Sequence, residues 1–140
     1  MIKVKVVGAS GYGGIGIIEL LLKHPEAKIS SLVAMESVGM PISQIWPHLM
    51  GFCDMEVTAP DDPRAQEPAD VVFMATPDRV GMNNAAAELA KGAKVIDYSG
   101  DFRFNTAEEY AEYATRIGKD PVHAAPDLLP LSVYGAPELH

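Results

Sequence analysis

The sequence predicts an α/β domain, a parallel sheet with helices on both faces. Short apolar runs at residues 2–7, 28–35, 70–75 and 93–97 alternate with helical patterns, the order expected of strand–helix–strand units. The run at 70–75 (DVVFMA) is nearly all apolar, as a strand buried on both faces requires. A glycine-rich stretch at residues 8–14 (GASGYGG) joins the first run to the first helical pattern.

Bulk properties narrow the class. At 140 residues, 48% of them apolar, the chain is expected to form one domain with a real core. A net charge of -8 argues against a nucleic-acid partner or an anionic membrane surface. No apolar run approaches the ~20 residues that cross a bilayer. Lys3 and Lys5 near the start are not followed by a signal-peptide core or cleavage site. The single cysteine, Cys53, excludes an internal disulfide framework. A soluble cytoplasmic protein is the expectation.

The elements follow in order. Ile2, Val4 and Val6 alternate with lysines before Val7, which suits a strand with an exposed start and a buried end. After the glycines, Ile15, Ile18 and Leu22 share a helical face with Ile17 and Leu21, and Pro25 stops the helix. Residues 28–35 (KISSLVAM) form the next strand, completing a βαβ unit of about thirty residues. Residues 36–54 are irregular, with one helical turn at 42–45; residues 55–58 suit a short strand and residues 60–63 a turn. After the strand at 70–75, Thr76 is expected to cap a helix with Pro77 at its first position, running to Lys91 and Gly92. Residues 93–97 make the next strand. Residues 106–109 (TAEE) are a capping box opening a helix in which Tyr110, Tyr113, Ala114 and Ile117 share a face. From Pro121 onward an extended segment is expected.

Chemistry concentrates in the turns. Gly8, Gly11 and Gly14 give a G-x-x-G-x-x-G spacing, with Gly13 and Gly16 besides and Ser10 at the second glycine of the G-x-G-x-x-G fingerprint. Between a strand and a helix, such a turn brings free N–H groups and the positive end of the helix dipole to a phosphate. The fold expected is therefore a Rossmann-like, doubly wound parallel sheet in a single domain. Its ligand lies beyond the carboxyl ends of the strands, where the turns after Val7, Ala75 and Asp97 converge. Extended short-chain dehydrogenases share the glycine spacing, but none of the five tyrosines has the lysine four positions on that their chemistry needs.

The glycine turn, residues 46–51 (WPHLMG), the run Ala75-Thr76-Pro77, residues 97–103 (DYSGDFR) and the closing residues 134–139 (YGAPEL) stand in an order that resembles the N-acetyl-gamma-glutamyl-phosphate reductase family. The resemblance implies NADPH-dependent reductive dephosphorylation of an acyl phosphate to N-acetyl-L-glutamate 5-semialdehyde, a step of arginine biosynthesis. It implies a cytoplasmic enzyme, homo-oligomeric at full length, acting on a small-molecule substrate. In that family a cysteine thiolate is the nucleophile. It lies in a motif beyond the YGxPEL segment, so these residues are expected to supply the cofactor-binding half, cut before the catalytic domain. Cys53, in an apolar run and matching no family motif, is expected to be a plain, partly buried cysteine rather than the nucleophile.

The resemblance and the local chemistry give the cofactor-binding set Gly8, Ser10, Gly11, Tyr12, Gly13, Gly14, Glu36, Thr76 and Pro77. Arg103 is expected either to hold the substrate's phosphate or to form an internal ion pair with Asp97 or Asp101. No metal ligand and no catalytic residue is expected within these residues. NADP is the expected cofactor; NAD is the alternative, because Glu36 stands after the second strand where the family commonly has cationic groups. Asp78 replaces the family's usual histidine. His48 reads as a packed loop histidine, and the Tyr110/Tyr113 stripe as core. An aspartate-semialdehyde dehydrogenase and a non-catalytic nucleotide-binding module are the alternative functions.

Overall fold

A computed structural model describes residues 1–135 and 137–139. The chain runs β1 (Ile2–Val7), α1 (Tyr12–Leu21), β2 (Ala27–Val33), α2 (Ile42–Ile45), β3 (Val57–Thr58), α3 (Pro63–Gln66), β4 (Val71–Met74), α4 (Val80–Ala90), β5 (Lys94–Asp97) and α5 (Ala107–Arg116). Short 3₁₀ turns lie at Pro47–Leu49, Pro126–Leu131 and Pro137–Leu139. The five strands form one parallel sheet in the order β3-β2-β1-β4-β5. The chain winds outward from β1 to β3 and then returns to the other side of β1. Strand order therefore reverses between β1 and β4, and a crevice opens there at the carboxyl ends.

Both sheet faces are covered, as a parallel sheet requires. Val4 and Val6 of β1 and Ile29 and Leu32 of β2 pack with Ile15, Ile17 and Ile18 of α1, and with Ile42, Leu49 and Cys53. Val72 and Met74 belong to a second cluster with Ala69 and Ala93. A third cluster, Met82, Tyr110, Ala114 and Leu129, ties α4 to α5 and to the 126–131 turn. Each of the larger side chains among them, Val, Leu, Ile or Met, contributes about 1.5–3 kcal/mol on burial. Among the described residues, no helix is long and apolar enough to cross a membrane.

Five expectations need correction. Helix α1 starts at Tyr12 rather than Ile15, so Gly13 and Gly14 lie in its first turn. Lys5 is buried, 1% exposed, because its face of β1 is covered by α4, where Glu88 meets it. Helix α4 starts at Val80, not Pro77, and Thr76 does not cap it; its first N–H groups are taken from another turn, as described below. The segment after Pro121 is not simply extended: residues 126–131 coil into a 3₁₀ turn because Leu129 is drawn fully into the third cluster. The expectations for Ala136 and His140 lie outside the described residues. Helix α3 was hidden in the turn at 60–63, although Asp62 and Pro63 form a regular helix start: the Asp62 carboxylate accepts the Arg64 N–H at 2.8 Å.

Candidate functional site

The glycine turn is pinned at both sides. The N–H groups of Gly8 and Ala9 donate to the Val33 carbonyl at 2.8 and 3.1 Å, fixing the turn to the end of β2. Gly8 has φ +83°, and a Cβ there would collide with the Ala75 carbonyl oxygen. A Cβ on Gly14 would collide with the Gly8 carbonyl oxygen and the Ala9 backbone, so helix α1 sits directly on the turn. A Cβ on Gly13 would lie 3.2 Å from Ala75 Cβ and 3.6 Å from the Tyr98 ring. The turns after β1, β4 and β5 therefore meet around residues 8–14, although they are far apart in sequence.

Helix α1 has Gly11 as N-cap, no side-chain cap and no acidic residue in its first turn. Its unpaired N–H groups and the positive end of its dipole are left for an external anion. Gly11, the N-cap that leads into them, borders a cleft of about 710 Å³, a size suited to a cofactor. Gly8, Ser10 and Gly11 form one wall. Ala34, Met35 and Glu36 form a second, and Ala75, Thr76 and Pro77 a third, with Lys5, Val7 and Met74 beneath. Residues of α3 and α4, among them Ala65, Gln66, Asn84 and Glu88, close the remaining side. The Thr76 hydroxyl is buried without a partner in this wall. Tyr12, Gly13 and Gly14 do not line the cleft; the exposed Tyr12 ring stands 5.6 Å from the Trp46 ring instead.

The turns after β4 and β5 hold each other reciprocally. The fully buried Asp101 carboxylate accepts the Arg79 N–H (2.8 and 2.9 Å) and the Met82 N–H (2.9 Å), capping α4 from a distant turn. This outcompetes Thr76 as the cap, and it holds Arg79 at φ +77°. In return Asp78 accepts the Gly100 N–H at 2.8 Å and the Lys119 ammonium at 2.9 Å. The Gly100 bond and the lysine hold the Asp78 carboxyl below its ordinary range. Burial, by contrast, pushes the Asp97 carboxyl up, and one of its oxygens has no partner. The His123 ring bonds the Asp101 carbonyl at 2.8 Å and is closed in by Tyr110 and Phe102.

Arg103 is the cation of this region without a carboxylate: among the described residues it pairs with neither Asp97 nor Asp101. Its Nε donates to the Ser99 carbonyl and its Nη2 to the Tyr98 carbonyl, both at 3.0 Å, and its guanidinium lies 5.6 Å from the Tyr134 ring centre. It stands outside the cleft lining, past the end of β5. His48 is not the packed loop residue expected. It is half exposed and bonds Glu19 of α1 at 2.7 Å, a partner too distant in sequence to be seen there. Cys53 is a plain core cysteine, buried in the first cluster more fully than the partial burial expected.

The site residues that escaped sequence reasoning are Asp101, Lys5 and Glu88. Lys5 Nζ reaches both Glu88 oxygens, at 3.0 and 3.1 Å, beneath the cleft. A lysine toward the buried end of β1 and a glutamate on the inner face of an alanine-rich helix are the only signals for that pair.

A parallel sheet with an uncapped glycine-rich helix start opening on a cleft at its reversal point defines a dinucleotide-binding domain. The chain matches the family of semialdehyde dehydrogenase NAD-binding domains over residues 3–140, and it belongs to that family. It is 39% identical over its whole length to the N-acetyl-gamma-glutamyl-phosphate reductase of Polynucleobacter asymbioticus, and 40% identical to that of Ruthia magnifica. It spans 38% and 39% of those proteins respectively. Among solved structures, the aspartate semialdehyde dehydrogenase of Candida albicans with NADP superposes at a TM-score of 0.62 and 22% identity, covering 88% of this chain and 41% of that one. The Vibrio cholerae aspartate semialdehyde dehydrogenase II reaches the same score at 17% identity, covering 84% and 39%.

Proposed function

We propose that these residues are the nicotinamide-dinucleotide-binding part of an enzyme that reduces N-acetyl-L-glutamyl 5-phosphate to N-acetyl-L-glutamate 5-semialdehyde in arginine biosynthesis. The observation that carries the reading is the uncapped start of α1, which opens on the cleft in a chain akin along its whole length to reductases of that name. The relatives' kinship points to NADP(H) as cofactor, with NAD(H) the other form. The enzyme would be cytoplasmic and homo-oligomeric at full length, and its catalytic domain would lie outside these residues.

The chain's own groups fit the pyrophosphate. Gly11 leaves its side of the turn without a side chain, the first N–H groups of α1 are uncapped, and Thr76, whose hydroxyl is buried without a partner, belongs to the facing wall. Gly8, Gly13 and Gly14 allow the turns to close up, Ser10 adds a hydroxyl, and Tyr12 begins the helix. Pro77 forms wall, and Glu36 receives the ribose. The cofactor, when bound, supplies the hydride. Arg103 binds the acyl phosphate: its fork is anchored on two carbonyls and, among the described residues, makes no ion pair with a carboxylate. Cys53 is closed off in the core and is not the nucleophile.

Two experiments test this. The 140-residue chain should bind a nicotinamide dinucleotide in a titration yet turn over no acyl phosphate; turnover would reveal a nucleophile among these residues. In the longer enzyme, Arg103→Lys should raise KM for the acyl phosphate, and an unchanged KM would remove Arg103 from the reading.

A further inference from the structure

We propose that the adenosine end of this cleft selects an unphosphorylated ribose, so that the chain binds NAD(H) more tightly than NADP(H), with Glu36 as the residue that decides. This rests on the dinucleotide reading above and narrows it. Glu36 is exposed on the cleft wall just past β2, about twenty residues beyond the last glycine of the turn, where an acidic group accepts hydrogen bonds from ribose hydroxyls. A phosphate on that ribose brings roughly two negative charges to the same carboxylate.

Among the described residues of the cleft wall, no cation stands ready to offset them. The charged residues of the cleft wall are Lys5, Glu36 and Glu88, one lysine against two glutamates. Lys5 is buried and spends its ammonium on both Glu88 oxygens. Other cations that flank this wall in the chain are committed as well: Arg79, next to Val80, faces the Asp120 carboxylate at 3.5 Å. Lys91 bonds Gln66 at 3.2 Å and Glu88 at 3.3 Å. Arg64 is held by Asp62 at 2.8 Å and Glu56 at 2.9 Å. The loop after β2, residues 34–40 (AMESVGM), contains no lysine or arginine. Part of its backbone is occupied too: the N–H groups of Ala34, Gly39 and Met40 donate to the Thr58, Val57 and Ser37 carbonyls at 3.0, 2.8 and 3.2 Å. Ser37 offers a hydroxyl but no charge.

The test is calorimetric titration of the 140-residue chain with NADH and NADPH separately, as wild type, Glu36→Gln and Glu36→Arg, with unfolding curves to show that each variant is folded. Two charges at contact distance in water predict that NADH binds about tenfold more tightly at low salt. Glu36→Gln should shrink that ratio and Glu36→Arg should invert it. Raising ionic strength from about 10 mM to about 1 M should also shrink it, since screening weakens the repulsion. Tighter binding of NADPH by the wild type would overturn the proposal and leave the dinucleotide reading standing. A ratio unchanged in Glu36→Gln would remove Glu36 as its cause. Failure of both nucleotides to bind the folded chain would overturn the dinucleotide reading itself, and this inference with it.

Discussion

Replacing Asp101 by alanine should unfasten the two turns that frame the far side of the cleft. The carboxylate is fully buried and takes two backbone N–H groups, those of Arg79 and Met82, at 2.8 to 2.9 Å. Hydrogen bonds to a charged group contribute about 1.5–3 kcal/mol each. The Met82 N–H is buried and would lose its partner outright, whereas the Arg79 N–H is half-buried and water can replace the acceptor. The sum is then about 3 kcal/mol, in line with about 1 kcal/mol for an ordinary helix cap plus the cost of an orphaned buried donor. For a chain of this size that is a fall of roughly 10 °C in Tm. Urea unfolding at neutral pH is the assay, with Asp101→Asn as the control that keeps one acceptor and should lose about half as much. A loss below about 1 kcal/mol in Asp101→Ala at unchanged m would refute the distant cap.

Further outcomes follow from the same geometry. Gly14→Ala should destabilise by more than about 2 kcal/mol, because its Cβ meets backbone that cannot move aside. Gly16→Ala, with open space around it in the same helix, should stabilise by about 0.5–1 kcal/mol; equal effects in the two unfolding midpoints would contradict the packing described. Glu88→Leu should cost about 3–5 kcal/mol by leaving Lys5 buried and unpaired, while Lys5→Met combined with Glu88→Leu should come close to wild type. Additive losses in denaturant unfolding would speak against that coupling. Asp78 is more acidic in the folded chain than in the unfolded one, so its contribution is present above the ordinary carboxylate range and is lost as pH falls toward its lowered value. Asp78→Asn should therefore narrow the difference in urea midpoint between pH 7 and about pH 3, and an unchanged difference would show that other groups carry it.

How far the sequence reveals this molecule depends on the range of the interaction. The strands were legible because a parallel sheet writes them as apolar runs, and the β1 turn because Gly8 and Gly14 are demanded by close backbone contact. Convergence of the three turns followed from the fold class. What stayed hidden joins distant positions. Asp101 caps a helix whose N-terminus lies 22 residues before it, and nothing local distinguishes it from Thr76, the better cap by sequence. Lys5 and Glu88 are separated by 83 residues. Strand alternation alone placed Lys5 in solvent, since only the covering α4 makes its face an interior one. His48 and Glu19, 29 residues apart, follow the same pattern. Tyr12 illustrates the opposite limit: its place in the glycine turn was plain, but the direction of its ring toward Trp46 was not.

The central claim is that residues 8–14 and 75–77 frame one dinucleotide cleft, and amide NMR of the 140-residue chain during titration with NADH or NADPH tests it most directly. The largest shifts should fall on the amides of Ser10 to Gly14, Glu36 and Thr76, with saturation at one nucleotide per chain. Saturable binding whose shifts avoid the start of α1 and cluster elsewhere would contradict it.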